Sequence, residues 1–513
     1  MRLFIFGIGG TGARVITSLV MQLAAGVRPI DENGEILKEG FSIVPILIDP
    51  HSECNALINV CELLNDYKAL HNRLYPKGDA GKGFFSVKIE TLHDVDPAGV
   101  SNDSFAFRMP NISNKEFKNY IAATETLLME PENVKFSELL FSKDELNTNM
   151  SEGFYGSPNI GCVALNSFVD SPDFSAFKKA VNTESGDKVF FIGSIFGGTG
   201  ASGLPLFITN IRHLLSEQAT STGTTGRVPI GALIVMPYFS IGEDKNSPIN
   251  DGDFMIKTRS ALSYYSHNLN HQVNNIYYIA DWGKKSIKPF DNDPGNIDNQ
   301  KTNKAHIVEF MGAMSLYNFI LSDNNEVDES TGNAATTKYF VYGIDSDDEN
   351  ISKVTMKEMG VVEKTLVQVP MMKFYILEHF MRNCKDTSNK PYAAGNVPKI
   401  DLANISGKTE IDRIFKKFDK LYIEMESHGP QAHNLCLYNR ITGFSYTNAF
   451  QGVSTQKGIF GHKNATKDDL IKLLNSIADT ESKKNLGITT GEQRWYHVAN
   501  LALEELIIKN YNL

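Results

Sequence analysis

The sequence predicts an α/β protein whose core is a mostly parallel sheet with helices on both faces. Two observations carry this reading. Short, wholly apolar runs alternate with helical spans through the first three-fifths of the chain, and buried parallel strands read as continuous apolar runs because both of their faces are covered. Two of these runs also feed directly into glycine turns that open helices, "MRLFIFGIGGTGARV" at the N-terminus and "FFIGSIFGGTGASG" over 190–203. A chain of 513 residues has room for two or three domains and a large core.

In chain order, Leu3–Phe6 reads as a buried strand and Ala13–Ala25 as a helix with Val15, Leu19 and Leu23 on its apolar face. "SIVPILI" (Ser42–Ile48) is a second strand ending at Asp49, which completes a βαβ start. Residues 57–150 lose this regularity and read as an insertion of polar helix and loop, broken at "YPKGDAGKGFF" and "DPAGVSNDS". Alternation then returns with a helix through Ile160–Val169, a strand at Lys188–Gly193 and a helix over Leu204–Ser216. Further strands follow in "IGALIVMPYF" and "NNIYYIAD". The span 304–321, containing "KAHIVEFMGAMSLYNFI", is apolar on every face and is expected as a long central helix buried between two domains. Residues 1–303 thus form the first domain. Residues 335–513 read as a second, α+β domain ending in the helix "RWYHVANLALEELIIKNY".

Composition narrows the function classes. The formal charge of −10 and pI near 5.7 offer no basic excess for neutralising phosphates of a polynucleotide, so nucleic acid is not the expected partner. Cys54, Cys61, Cys162, Cys384 and Cys436 are scattered, odd in number and without a CxxC pair, which argues against a disulfide framework or zinc site and for a reducing cytoplasm. No apolar run approaches the roughly 20 residues of a membrane span. A soluble, cytoplasmic protein without membrane insertion is the expectation.

In both glycine turns a strand feeds glycines that open a helix, so backbone N–H groups and the positive helix end converge on one point. That arrangement binds phosphate, and glycine is needed because a Cβ would hold the anion off the backbone. Gly9, Gly10, Gly12, Gly197, Gly198 and Gly200 supply the backbone, while Thr11, Thr199 and Ser202 add hydroxyls as donors or as a magnesium ligand. A dinucleotide-binding domain would place an acidic residue at the end of the second strand, where Asp49 stands, but needs only one such turn. Neither turn has the lysine of a P-loop, and "ISGKTE" around Lys408 lacks the leading glycine. His267 and His271 stand at i, i+4 without a third ligand in register, and no metal site is expected from them. Glu309, inside the apolar helix, reads as a catalytic group or as half of a buried polar pair.

Four loops in order carry a family resemblance. "GIGGTGARV" looks like the first phosphate loop of the tubulin/FtsZ superfamily, and "LIDPHSECN" stands where that family has its Asn-Thr-Asp-type loop. "GSPNIGC" resembles the Gly-Asn-Pro-x-Ile-Gly turn over the γ-phosphate, and "FGGTGASG" is similar to the GGGTGSG signature. "VMPYF" (Val235–Phe239) resembles the strand-end Lys-Pro-Phe. The likeness covers about residues 1–320, apart from 57–150, and is faint afterwards.

The resemblance implies a tubulin-like GTP-binding domain, a long central helix, a second domain, GTP/GDP with Mg²⁺, and head-to-tail filaments with nucleotide at the subunit interface. It assigns the nucleotide to Gly9–Gly12, Arg14, Asp49, Gly156, Ser157, Pro158, Gly197–Gly200 and Ser202. By position Asn303 would meet the guanine edge, although it serves equally as a helix N-cap. Asp253 in "NDGDF" is placed to hold ribose hydroxyls, or to shape a turn. Two departures stand out: Phe196 replaces the signature's first glycine, and Arg14 replaces an Asn or Gln. The catalytic acidic loop has no clean counterpart, and "NNEVDES" offers Glu326 and Asp328 near its place. Two other classes stay open: a nucleotide-switched binding protein that does not polymerise and meets a partner through 57–150 or the C-terminal region, and a dinucleotide-dependent oxidoreductase.

Overall fold

The computed structural model describes the chain except residues 30–40, 52–53, 79–80, 110–111, 113–114, 125–130, 151–153, 155–156, 183–184, 223–227, 240–250, 282–302, 323–333, 335, 343–351, 358–363, 384–391, 393–397, 403–404, 406, 430–431, 459–460, 463–464, 485 and 513. The described residues form an α/β protein with a mostly parallel central sheet. Contacts divide the chain into two compact units, Met1–Thr17 with Ile43–Glu62 and Glu90–Gly343, and Ser18–Ser42 with Leu63–Ile89 and Ile344–Leu513.

The first unit is built on strands β1 (Arg2–Ile8), β2 (Ser42–Ile48), β3 (Ala106–Phe107), β4 (Lys188–Ser194), β5 (Ile230–Val235), β6 (Asn275–Ile279) and β7 (Lys338–Tyr342). The main run is β2-β1-β4-β5-β6-β7, and β3 pairs with β2. The β2–β3, β1–β4, β4–β5, β5–β6 and β6–β7 pairs run parallel, with Gly7 of β1 opposite Ile192 of β4. Leu3, Phe4, Ile5 and Phe6 are wholly buried, as their continuous apolar run requires. From β1 the chain builds outward to β2 and β3, then restarts on the other flank at β4. The order therefore reverses between β1 and β4, and in open α/β sheets ligands bind in the crevice outside the carboxyl ends of the strands at such a switch.

Helix α1 (Gly9–Ala24) leaves β1 and helix α2 (Asn55–Leu74) follows β2. Helix α3 (Pro158–Leu165) precedes β4, and α4 (Gly198–Thr222) leaves it. Helix α5 (Asp251–Asn268) follows β5, and α6 (Ile307–Leu321) joins β6 to β7. The expected 304–321 helix thus starts three residues late, capped by His306, whose Nδ1 accepts from Val308 N at 3.2 Å. Only Met314, Asn318 and Leu321 of α6 escape full burial. That burial is accounted for on the sheet: Phe319 packs on Phe190 with ring centroids 5.2 Å apart, and Gly312 sits against Leu233 and Val15. Lys188 Nζ donates to the carbonyls of Phe319, Ile320 and Ser322 at 2.8–3.2 Å, satisfying the helix's last acceptors. After α6 the chain returns to the sheet as β7, so residues 338–342 of the span expected as a second domain, 335–513, belong to the first unit.

The second unit is mainly helical, with α7 (Lys364–Asn383), α8 (Lys408–Glu426), α9 (Lys467–Ser482) and α10 (Gly491–Asn510). Helix α8 buries Ile411, Ile414, Phe415, Phe418, Tyr422 and Met425, one apolar stripe at helical spacing. Phe374 of α7 meets Phe415 and Phe418 at 5.2 and 4.9 Å. Residues 57–150 do not form one inserted body: 63–89 belongs to this unit, where Phe84 and Phe85 each pack 5.8 Å from Phe374, while 90–150 belongs to the first. Among the described residues, no helix is long and apolar enough to cross a membrane.

Candidate functional site

The two glycine turns meet. They leave adjacent parallel strands, β1 and β4, at the same end of the sheet, and a Cβ placed on Gly9 would stand 3.3 Å from Thr199 Cβ and 3.5 Å from Gly200 N. Gly9 has φ +70°, a conformation side chains disfavour, and it opens α1 without an intervening loop. Helix α4 likewise opens at Gly198, inside the turn and six residues before the sequence suggested. Neither helix has an acidic residue in its first turn. Two sets of unpaired N–H groups and two positive helix ends therefore converge with no carboxylate of their own to neutralise them.

The glycines divide by task. A Cβ on Gly12 would lie 2.7 Å from Gly7 C and 2.9 Å from Ile192 O, and one on Gly200 would lie 2.6 Å from Ser194 O. These two let helix and strand backbones touch. Gly10 meets only Cys54 Sγ, at 3.8 Å, so its outer side is open. Gly10, Thr11, Gly197, Gly198 and Thr199 all keep partial exposure, as a ligand-facing surface must. Ser202 does not join them. It is fully buried, and its hydroxyl donates to Gly198 O at 2.6 Å inside the helix. Pro205 also lies within α4, and the carbonyl four residues back, on Ala201, accepts instead from the buried Tyr265 hydroxyl at 3.0 Å. That bond lets the helix run unbroken from the turn.

Behind the first turn is a buried charged network. Arg14 Nε donates to Glu309 Oε1 at 2.6 Å, and Tyr238 Oη donates to the same oxygen at 3.2 Å. Burial disfavours the Arg14 cation, but Glu309 and Tyr238 more than reverse this and hold its pKa above the ordinary arginine value. Burial, then Glu309, pushes the Tyr238 phenol far up, so it stays protonated and donates. Arg14, expected among the nucleotide residues, is paired with Glu309, and Glu309 is thereby half of a buried pair. Beside it, His306 Nε2 lies 3.3 Å from Asp281 Oδ2, and the His306 ring is 5.1 Å from that of Tyr238. Tyr238, His306 and Asp281 were not singled out from sequence. The available signal was position, because Tyr238 and Asp281 both stand just past the carboxyl ends of parallel strands, as Asp49 does.

Asp49 follows β2 and accepts from His51 N at 3.0 Å. Burial raises its pKa to about 7 against that bond. The neighbouring Cys54 thiol is pushed up to about 11, by burial first and then by the charge of Asp49. A carboxyl, a thiol and Gly10 thus share one corner of the turn.

Ser157 is the N-cap of α3 with Pro158 at its first position, and the Ser157 hydroxyl makes no capping bond. Helix α3 packs on α4, where a Cβ on Gly161 would strike the Ser202 side chain. Asn303 is not the N-cap of α6, a role His306 fills. Asp253 lies in the first turn of α5, its side chain outside the described set. Gly156, Glu326 and Asp328 fall outside the described residues. His271 sits at φ +63°, beyond the end of α5 at Asn268, so it shares no helical face with His267. Among the described residues, no three His, Cys, Asp or Glu side chains are grouped to hold a metal ion. Neither a protein-family model nor any curated protein matches this chain.

Proposed function

We propose that the edge where Gly9 meets Thr199 binds a nucleoside triphosphate, GTP with Mg²⁺, in a tubulin-like GTP-binding domain. The observation that carries this reading is the contact of two glycine turns at the point where strand order reverses, both opening helices with no acidic residue in the first turn. A single pyrophosphate cradle needs one turn; two facing turns suit a longer phosphate chain. With Arg14 committed to Glu309, the phosphates are met by backbone N–H groups and by the Thr11 and Thr199 hydroxyls. The donor set fits a Mg²⁺ carried largely by phosphate and water oxygens, because hydroxyls and one carboxyl, Asp49, are at hand rather than a protein cage.

In this reading the chain self-associates head to tail, and Glu326 or Asp328 of one copy orients the water that attacks the γ-phosphate held by the next. Hydrolysis per chain then rises with protein concentration, because each site needs two copies. A second reading has one observation in its favour: Asp49 stands at the end of β2, where a dinucleotide enzyme holds a ribose. Gentle denaturation of the purified protein, with chromatography of what is released, separates the two. Guanine nucleotide supports the first reading; adenine–nicotinamide dinucleotide supports the second and overturns the first.

A further inference from the structure

The second unit carries a cleft beside α10, lined by Pro398, Glu481, Lys484, Gly487, Arg494 and His497. Its charges do not cancel. Glu481 is engaged twice, by Lys484 Nζ at 2.7 Å and by His497 Nε2 at 2.9 Å. Arg494 is 6 % exposed, and among the described residues its guanidinium makes one hydrogen bond, to the neutral carbonyl of Pro398 at 3.1 Å. Lys77 does not line the cleft, but its Nζ lies 3.9 Å from where a Cβ on the lining residue Gly487 would stand, and it forms no ion pair among the described residues. Two lining cations, Lys484 and Arg494, with Lys77 beside Gly487, therefore stand against one lining carboxylate, leaving two positive charges before His497 is considered.

A guanidinium largely withdrawn from water without a carboxylate is costly unless a partner arrives. Burial, with nothing to offset it, pulls the Arg494 pKa down. An arginine fork with flanking ammonium groups matches a tetrahedral oxyanion in both shape and charge. We propose that this cleft binds a free dianionic oxyanion of the size of phosphate, held by Arg494 with Lys484 and Lys77. The site shares no residue with the glycine edge and does not depend on the nucleotide reading.

The test is calorimetric titration of inorganic phosphate into the full chain and, alongside it, into the Gly10→Val variant, in which any binding at the glycine turns is weakened. Saturable one-to-one binding is expected. Arg494→Met should weaken it about tenfold or more, the loss of a charge-assisted bond, and Arg494→Lys should weaken it less. Lys77→Met with Lys484→Met, both at exposed positions that do not endanger folding, should weaken it about fivefold. Absence of saturable binding, or equal affinity in the parent and the double lysine variant, would overturn the proposal.

Discussion

Arg14 and Arg494 are both largely withdrawn from solvent, one in each unit, but they differ in what answers their charge. Arg14 lies against Glu309, which is 2 % exposed, and its guanidinium is satisfied inside the fold. Arg494 meets only a backbone carbonyl among the described residues. The difference teaches that a cation near a suspected anion site is informative only once its internal partner is known. By sequence Arg14 stands among the expected nucleotide residues, in the place of a family Asn or Gln, and Arg494 is not singled out. The same division separates Gly12 from Gly10, and Ser202 from Thr199. In each pair one group is consumed by the fold and the other remains free for a ligand.

The largest expected effect breaks the consumed arginine. Arg14→Met strands the Glu309 carboxylate in the core and should cost roughly 3–5 kcal/mol of stability. Arg494→Met loses one hydrogen bond to Pro398 O but also removes a cation that no carboxylate answers, so its net effect should stay within about 1 kcal/mol of zero. Urea unfolding of both variants measures the contrast, and equal losses would erase the distinction drawn between them.

Next in size is the titration of Asp49. Its folded pKa of about 7 lies above the ordinary carboxyl value, so the folded state holds the proton more tightly than the unfolded one. Its contribution is therefore present at low pH and is lost as pH rises from about 4 through 7, a fall of roughly 2–4 kcal/mol. Asp49→Asn should flatten that slope in denaturation series between those limits. An unchanged slope would mean that the carboxyl is not held protonated.

The glycines give a third contrast. Gly12→Ala drives a Cβ into the Gly7 and Ile192 backbone and should destabilise by about 1–3 kcal/mol, whereas Gly10→Ala meets open space and should fold normally. Thermal melts of the two decide it. The smallest effect concerns Ser202, whose hydroxyl is spent on Gly198 O. Ser202→Ala should lower stability by about 1 kcal/mol and leave nucleotide affinity unchanged, while Thr199→Ala should weaken nucleotide binding with little effect on folding. A large affinity loss in Ser202→Ala would return that residue to the phosphates.

The sheet and its glycine turns were legible because their signals are local. "SIVPILI" gives a strand over Ser42–Ile48 in both sequence and structure, while α1 and α4 start on the turn glycines themselves, at Gly9 and Gly198, ahead of the expected Ala13 and Leu204. What was not legible is what distant residues decide. The Arg14–Glu309 pair spans 295 positions, and no local pattern announces it. Helix α6 starts at Ile307 rather than 304 because the His306 ring both caps it and lies beside Asp281, a choice local propensity does not encode. Helix α4 begins at Gly198 rather than at the expected Leu204, and it runs through Pro205 because Tyr265, sixty residues on, takes up the stranded Ala201 carbonyl. Residues 57–150 looked like one insertion because composition reports polarity and not which core a segment joins.

The most direct test of the nucleotide edge is equilibrium titration of GTP with Mg²⁺ into the wild-type chain and the Gly10→Val variant. Gly10 has ordinary backbone geometry and room beside it, so the variant should melt with the wild type while its side chain occupies the space above the first turn. We expect saturable binding to the wild type and a loss of at least about tenfold in the variant, the scale of one or more charge-assisted hydrogen bonds to phosphate. Equal affinity in a folded Gly10→Val protein, or no binding of GTP to the wild type, would contradict the assignment of the Gly9–Thr199 edge as a nucleotide site.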